Sequence, residues 1–518
     1  MTVKAIRLEN FMAFEDTGWI ELRPITLLFG RNSSGKSVVT RALRLLKQSL
    51  DCYPKFLNFL TETGVDLPEF PEALHRKTHL AEGEQRMGFH FRCELSNSLE
   101  ELKRIVNQQR GRSGQPPIDP EDPRKWVEFW LFYAWNSDAK WEELVEFEIK
   151  CPWSIFDGSD ERTIFFAERL DEESAALVGD DWWFDTDYLQ GHEADEETLW
   201  SLVSVERTLG FLPNLALRET TSFTEGMVMD DFEFVASLLN EIRESIERFL
   251  RNIQYIGPVR PSPQRYYPLN RLSQLQWEQQ GWSVLLSFFL EKGDEEQYRE
   301  IDQWMQRLDL GCEAEPTRID YKGYGIGSEI LIHESPEGIW VNIMDVGFGA
   351  SQVLPIIVQA VMAEPEQLVI IEQPELHLHP GAQSELTDLF IDRVYRLVED
   401  EQEPEGFRRE ESGVRFLLET HSEHILLRLR RRIAESSVGR ISLIDREYLP
   451  QQSLRVFFIG RDPPSSSVEQ VQISRLGEMS SPPGFEGFFS DDLRETAKLA
   501  RARLESRLVK GDADDPGH

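Results

Sequence analysis

Residues 30–37 read Gly30-Arg31-Asn32-Ser33-Ser34-Gly35-Lys36-Ser37, a GxxxxGKS octet between an apolar run, Ile25 to Phe29, and a helical pattern that opens at Lys36. This context constrains the chain more than any other feature, because a P-loop needs a buried strand, a glycine-rich turn and a helix N-terminus in immediate succession. Glycines let consecutive backbone amides close around phosphate, and the helix dipole adds favourable potential at the same point. Lys36 is expected to reach the terminal phosphates from a solvent-facing loop, and the Ser37 hydroxyl to ligate magnesium. The ligand this pattern fits is a nucleoside triphosphate, with ATP and Mg2+ as the expected cofactors.

A P-loop also requires a second strand that brings a carboxylate toward the metal. Leu368-Val369-Ile370-Ile371-Glu372 supplies four apolar residues and then an acid, so Glu372 is the candidate metal-side carboxylate. Gln373, Pro374 and Glu375 follow it. After a further apolar run come Glu419-Thr420-His421-Ser422, where His421 is a candidate sensor of the γ-phosphate. Ahead of Glu372 lies Asp345-Val346-Gly347-Phe348-Gly349-Ala350-Ser351-Gln352, a glycine-rich turn that opens an apolar helix. Such a turn is often no more than a turn. The alternative is that Gly349, Ser351 and Gln352 contact the γ-phosphate held by another subunit.

The order of patterns predicts an α/β chain. Residues 1–50 form the first half of a nucleotide-binding head with the P-loop, and 51–227 a β-rich insertion with strand-like runs such as Val127 to Trp135. Residues 228–327 form a helical segment, 328–460 the second half of the head, 461–502 a small C-terminal domain and 503–518 a tail. Neither helical stretch, Glu233 to Ile253 or Trp282 to Leu308, keeps an apolar heptad long enough for a coiled-coil arm.

Composition narrows the partners. A formal net charge of −36 repels phosphate backbones at long range, so nucleic acid would have to bind in a local basic groove. Arg428, Arg430, Arg431 and Arg432 form the densest basic cluster, read either as a solvated helix face or as a contact for nucleotide or nucleic acid. Asp171 to Trp200 holds eleven acidic residues and no Lys or Arg. This stretch reads as a solvated loop, with Trp182, Trp183 and Trp200 either docking it on its own core or anchoring a basic partner. No apolar run is long enough for a membrane helix, and the N-terminus lacks the features of a secretory leader, so the expected compartment is the cytoplasm. His75 and His79 stand one helical turn apart without a third ligand, and the four cysteines show no metal-binding spacing.

Taken together these segments resemble the bacterial ABC/SMC-type AAA ATPases. Within them the resemblance is to ATPases with a DVGFGxSQVLP turn, an IEQPELHLHP segment, an ETHSEH segment and a small C-terminal domain of unknown function. Asp345 to Pro355, Ile371 to Pro380 and Glu419 to Arg432 carry it, with Tyr255 to Arg260 and Phe485 to Leu493 beside them. The resemblance is specific over about residues 1–45 and 250–495 and silent over 50–225. It implies an ABC/SMC-type P-loop ATPase head assembled from both chain ends, and a dimer in which two heads sandwich two ATP molecules. It also implies a partner effector, a nuclease in some relatives, and a role in defence against phage or plasmids. The chain departs from the family where an Asp–Glu pair is usual, because here the pair is Glu372 and Gln373. An amide cannot take a proton from water, so hydrolysis is expected to be slow unless Glu375 supplies the base. A slowly hydrolysing regulatory scaffold is the alternative. A self-contained nuclease is disfavoured, since no cluster of carboxylates and lysine follows residue 460.

Overall fold

The computed structural model describes residues 2–51, 57–59, 67, 70–75, 86–94, 104, 107, 126–136, 141–151, 162–170, 182–185, 203–207, 211–217, 226–260, 263–268, 295–311, 313–321, 325–333, 338–400, 406–442, 444–462 and 465–480. The proposed C-terminal motif from Phe485 to Leu493, His79, Trp200 and the tail lie outside these residues.

A six-stranded sheet carries the P-loop. Its order is Ile253–Ile256, Leu368–Glu372, Arg415–Thr420, Ile25–Gly30, Leu454–Asp462 and Ser465–Val471. The first five strands are parallel and the last is antiparallel to its neighbour. The P-loop strand therefore does not touch the Glu372 strand; the Glu419 strand lies between them. Parallel strands are covered on both faces, which is why they read as continuous apolar runs. Leu28, Ile370, Leu417 and Phe457 point toward the P-loop helix, Lys36–Ser49. Leu27, Phe29, Ile371, Leu418 and Val456 point the other way, toward a core shared with helices Phe348–Val361, Pro380–Val394 and Glu423–Ser437. This is an α/β head built from both ends of the chain, as the sequence predicts.

An antiparallel sheet backs the P-loop helix. Its order is Phe14–Asp16, Thr2–Phe11, Arg86–Glu94, Trp126–Asn136, Trp141–Cys151, Arg162–Arg169 and Trp182–Asp185, with Ile20–Glu21 also pairing Thr2–Phe11. The boundary drawn at residue 50 divides the chain but not this sheet, because Leu8 pairs with Phe89 across it. Trp182 packs edge-on to Phe147 at 5.8 Å, so this tryptophan docks its segment on its own sheet.

Several predicted elements differ. The helix Gly226–Arg251 ends before Ile253, which instead begins the edge strand of the head sheet. Leu368 N–H donates to the Asn252 carbonyl, capturing the chain there as a strand. Strands Gly325–His333 and Trp340–Asn342, read as returning head strands, pair with Glu313–Tyr321 and Tyr267–Pro268 in a separate antiparallel sheet. Among the described residues no helix is long and apolar enough to cross a membrane.

Candidate functional site

The P-loop sits at the carboxyl end of its strand, where open α/β sheets bind ligands. Gly30 and Gly35 have φ of 156° and 106°, and a Cβ at Gly30 would stand 2.4 Å from the Ile459 carbonyl oxygen. Neither position tolerates a side chain without movement of the loop or its neighbours. Ser33 is also left-handed, with φ 58°, while Arg31, Asn32 and Ser33 are exposed and Ser34 is buried. The buried Ser34 Oγ has no hydrogen-bond partner.

Lys36 is not the solvent-facing residue the sequence suggests. It is 3% exposed, and its Nζ donates to the Gly30 carbonyl at 3.1 Å and the Arg31 carbonyl at 2.7 Å. Burial lowers the affinity of the ammonium for its proton, while the charges of Glu419 and Glu375 oppose that shift. The lysine is thus held inside the loop, bonded to the carbonyls of the turn it serves.

The two carboxylates at the strand ends occupy different environments. Glu372 Oε1 accepts from Thr40 Oγ1 at 2.6 Å, one helical turn beyond Ser37. Burial, then the nearby Glu372 charge, holds the Tyr255 phenol protonated well above its usual range. Ser37 Oγ donates to Glu419 Oε1 at 2.9 Å. Glu419 is 4% exposed, and its buried Oε2 has no hydrogen-bond partner. Burial and then the neighbouring Glu372 charge push the Glu419 carboxyl up to about 7, against the hydrogen bond from Ser37 and the Lys36 charge.

Beyond these, a cavity of about 540 Å³ is lined by Arg31, Asn32, Gln373, Glu375, Leu376 and His421. Gln373 has a left-handed backbone, φ 49°, and its N–H donates to the Glu419 carbonyl at 2.7 Å. Glu375 accepts from the His421 N–H at 2.8 Å through Oε1 and from Thr420 Oγ1 at 2.7 Å through Oε2. Burial raises the Glu375 carboxyl, and those two hydrogen bonds partly offset the rise. His421 is held in its neutral form by burial and by the Lys36 charge, opposed by a hydrogen bond to the Gly30 carbonyl. The fold therefore brings Arg31, Asn32, Gln373, Glu375 and His421 to one cavity, while Glu372 and Glu419 stand behind the P-loop.

Arg260, at the end of the Tyr255 to Arg260 segment, was given no role by the sequence. It is 5% exposed, and its Nη2 donates to the carbonyls of Glu372 at 3.0 Å and Gln373 at 3.1 Å, holding the turn after the acid strand. Burial lowers its guanidinium to about 10. Gln352 Nε2 reaches the Arg260 carbonyl at 3.4 Å, which ties the helix after the glycine turn to the same point. Glu419 was missed too, although a signal existed: Phe416 to Leu418 is an apolar run followed by Glu419, as Leu368 to Ile371 is followed by Glu372, and the two acids are register partners.

In the glycine turn, Ser351 and Gln352 are both 3% exposed and lie behind its surface. Gly347 is exposed, and a Cβ there would meet nothing within 4 Å. Gly349 packs close, its Cβ position 3.3 Å from the His377 carbonyl oxygen, so the turn abuts the loop that lines the cavity. Asp345 is held by Arg265 through two hydrogen bonds of 2.7 and 2.8 Å.

The arginine cluster is a structural network. Arg428 and Arg432 each donate to the fully buried Asp388 at 2.6 Å, Arg307 approaches it at 3.5 Å, and Arg430 donates to the Gly477 carbonyl. Arg431 pairs with Glu435 on its own helix. His379 caps helix Pro380–Val394, its Nδ1 accepting from the Gly381 N–H. His75 is buried.

Among the described residues no group of three or more His, Cys, Asp or Glu side chains converges to hold a metal ion. Magnesium bound with a nucleotide does not require one, since it is held by one or two carboxylates, phosphate oxygens and water. The Ser37 hydroxyl and the buried carboxylates of Glu419 and Glu372 form a hard oxygen donor set of that kind, and the unpartnered Glu419 Oε2 fits it.

The sequence model of a family described as "AAA domain, putative AbiEii toxin, Type IV TA system" matches residues 230–427, less than half of the chain. Similar solved structures include an SmcHead bound to the C-winged helix domain of ScpA, with 10% identity, 92% of this chain and 99% of that chain covered and a TM-score of 0.38. An SMC head domain from Thermotoga maritima has 8% identity, coverage of 91% and 100%, and a TM-score of 0.36. An Smc head domain bound to the C-terminal domain of ScpA derived from Pyrococcus furiosus has 11% identity, coverage of 90% and 96%, and a TM-score of 0.36. No curated protein matches the chain.

Proposed function

We propose that the chain is a P-loop ATPase of the AAA and SMC-head type, that it binds and hydrolyses ATP and that ATP drives two copies together. The observation that carries this reading is the juxtaposition of P-loop, Gln373, Glu375 and His421 around one cavity. Lys36 and the loop amides hold the triphosphate. Magnesium, when bound with it, neutralises charge on the phosphoryl oxygens. Glu375 is the cavity-facing base: Thr420 and His421 take two of the roughly four lone-pair sites of its carboxylate, which leaves the others for water. Gln373 beside it orients that water but does not accept its proton.

The glycine turn supports dimerisation. Gly347 is exposed at the N-terminus of a fourteen-residue helix, and the exposed Met344 lies just before it. Exposed Val259 adjoins Arg260, whose carbonyl the same helix contacts. Free helix amides and apolar side chains together suit a second copy carrying a bound triphosphate. The dimer in turn switches an effector protein, with a nuclease as one candidate, in defence against phage or plasmids. The toxin named in the matching family's description supports that role.

Gly347→Arg tests the dimer more cleanly than a change at the buried Ser351, because a Cβ at the exposed Gly347 meets nothing within 4 Å in its own subunit. That variant should bind ATP normally as a monomer and fail to dimerise with it. Light scattering that shows parental dimerisation would sink the trans reading.

A further inference from the structure

We propose that a cavity at the far end of the head sheet from the P-loop binds a small organic anion, bearing phosphate or carboxylate groups, through Arg415 and Arg248. The inference goes beyond the nucleotide-binding reading above and does not depend on it.

The cavity lies where the antiparallel sheet and the head sheet meet the last turns of helix Gly226–Arg251. Its volume is about 560 Å³, within the range of about 300–1,000 Å³ that small-molecule sites occupy. Pro24 and Arg415 line it, at the entry to two parallel strands whose other ends carry Gly30 and Thr420. At the usual rise of an extended chain, Arg415 stands about 17 Å from Thr420. No lining residue is shared with the cavity of Arg31, Gln373 and His421.

Its charges are only partly matched. Five cationic and four acidic side chains line the cavity, in a chain whose net charge is −36. Three of the cations are paired: Lys4 with Glu94 at 2.9 Å, Arg23 with Glu21 at 3.0 Å and Arg92 with Glu128 at 2.6 Å. The other two are not. Arg248 is exposed, and its side chain has no hydrogen bond or ion pair among the described residues. Arg415 donates from Nη1 to the Val3 carbonyl at 2.7 Å and lies over the Phe249 ring at 5.3 Å, which leaves Nε and Nη2 without a partner among the described residues. Glu366 and Glu411 are exposed and form no ion pair with it. Burial lowers the Arg415 guanidinium to about 10, and the charges of those two carboxylates oppose the shift. A partly buried guanidinium short of a counter-charge favours an anion at its free donors, and its planar fork suits phosphate and carboxylate alike. Because Arg248 lines the same cavity, a ligand with two anionic groups can meet both arginines.

Calorimetry tests this on the full chain, with the P-loop first saturated by a non-hydrolysable ATP analogue. Fructose 1,6-bisphosphate and succinate are titrated separately, so that the two arms tell a phosphate site from a carboxylate site. Wild type should bind at least one of them. Arg415→Gln and Arg248→Gln should each weaken that binding by about 10-fold or more, the usual worth of hydrogen bonds to a charged group, and leave analogue affinity unchanged. Should Arg415→Gln fail to fold for want of its bond to Val3, the exposed Arg248 carries the test. Wild type that binds neither probe, or folded variants that bind the probe as wild type does, overturns the proposal. Failure of the analogue itself to bind strikes the nucleotide reading, and the probe titrations still decide this one.

Discussion

Two buried clusters of charge lie on opposite sides of the same sheet strands and are built on different terms. Around Asp388, every charge meets its opposite: Arg428 and Arg432 clasp the carboxylate, Glu385 shares the Nη2 of Arg428 with it, and Glu435 takes Arg432. Around the P-loop the charges are left incompletely matched. Glu372 and Glu419 are neighbours of like sign, Arg260 leaves Nε and Nη1 without partners, and Glu419 Oε2 and Ser34 Oγ have none either. Completed ion networks hold a fold together, whereas unmet buried polar atoms accumulate where a ligand completes them. The contrast separates structure from function more sharply than the density of arginines along the sequence does.

The largest expected effect is on the incomplete side. Glu375→Gln should lower the ATP turnover number by about 10² to 10⁴, the usual worth of a general base. Gln373→Glu should bring no gain, because it adds a second carboxylate beside one that already serves. Phosphate release measured for both variants decides the matter. Faster turnover in Gln373→Glu with an active Glu375→Gln would restore the picture of a slow switch that lacks a base.

On the completed side the effect is on stability. Asp388→Asn leaves Arg428 and Arg432 without their shared anion and should destabilise the fold by about 3–5 kcal/mol, read from the urea midpoint. Burial alone would raise the Asp388 carboxyl, but the hydrogen bonds and charges of Arg432 and Arg428 outweigh it and hold it below its usual range. Its contribution is therefore present above about pH 3.8 and is lost only as pH falls through the lower folded value. An Asn variant as stable as wild type would show that the network is ornamental.

The smallest effect comes from a third group, which tests whether an unmet polar atom must imply a ligand. His90 is buried against Trp130 and Phe132 at 4.2 and 4.9 Å, and neither ring nitrogen forms a well-aligned hydrogen bond. Burial lowers its affinity for a proton, although Glu9 at 3.5 Å opposes the shift. The unfolded chain thus binds more protons below about pH 6.5, and stability should fall as pH drops from about 7 to about 5.5, by at most about 1.4 kcal/mol per unit. His90→Phe should flatten that slope in urea titrations. Glu9 acts in a separate window, since its depressed carboxyl contributes above about pH 4.5 and loses that contribution at lower pH. An unchanged slope in the variant would remove His90 from the account.

Much of the head was legible in the sequence because its signals are local. The octet from Gly30 to Ser37 specifies its own turn, and an apolar run ending in an acid announces a buried strand aimed at the site. Backbone conformation and strand burial follow from near neighbours, so Lys36, Ser37 and Glu372 are found without any knowledge of packing. What the sequence by itself determined is therefore the chemistry on offer: phosphate-binding amides, a lysine, a hydroxyl, and acids at strand ends. Only the tertiary structure decided which acid each group meets. The order of parallel strands puts the 415–420 strand beside the P-loop, so Ser37 reaches Glu419 while Glu372 turns to Thr40, and the helix 380–394 delivers Asp388 to arginines forty and forty-four residues away. Pairings of this kind depend on which strand lies next to which, a property of long-range packing that no spacing along the chain records.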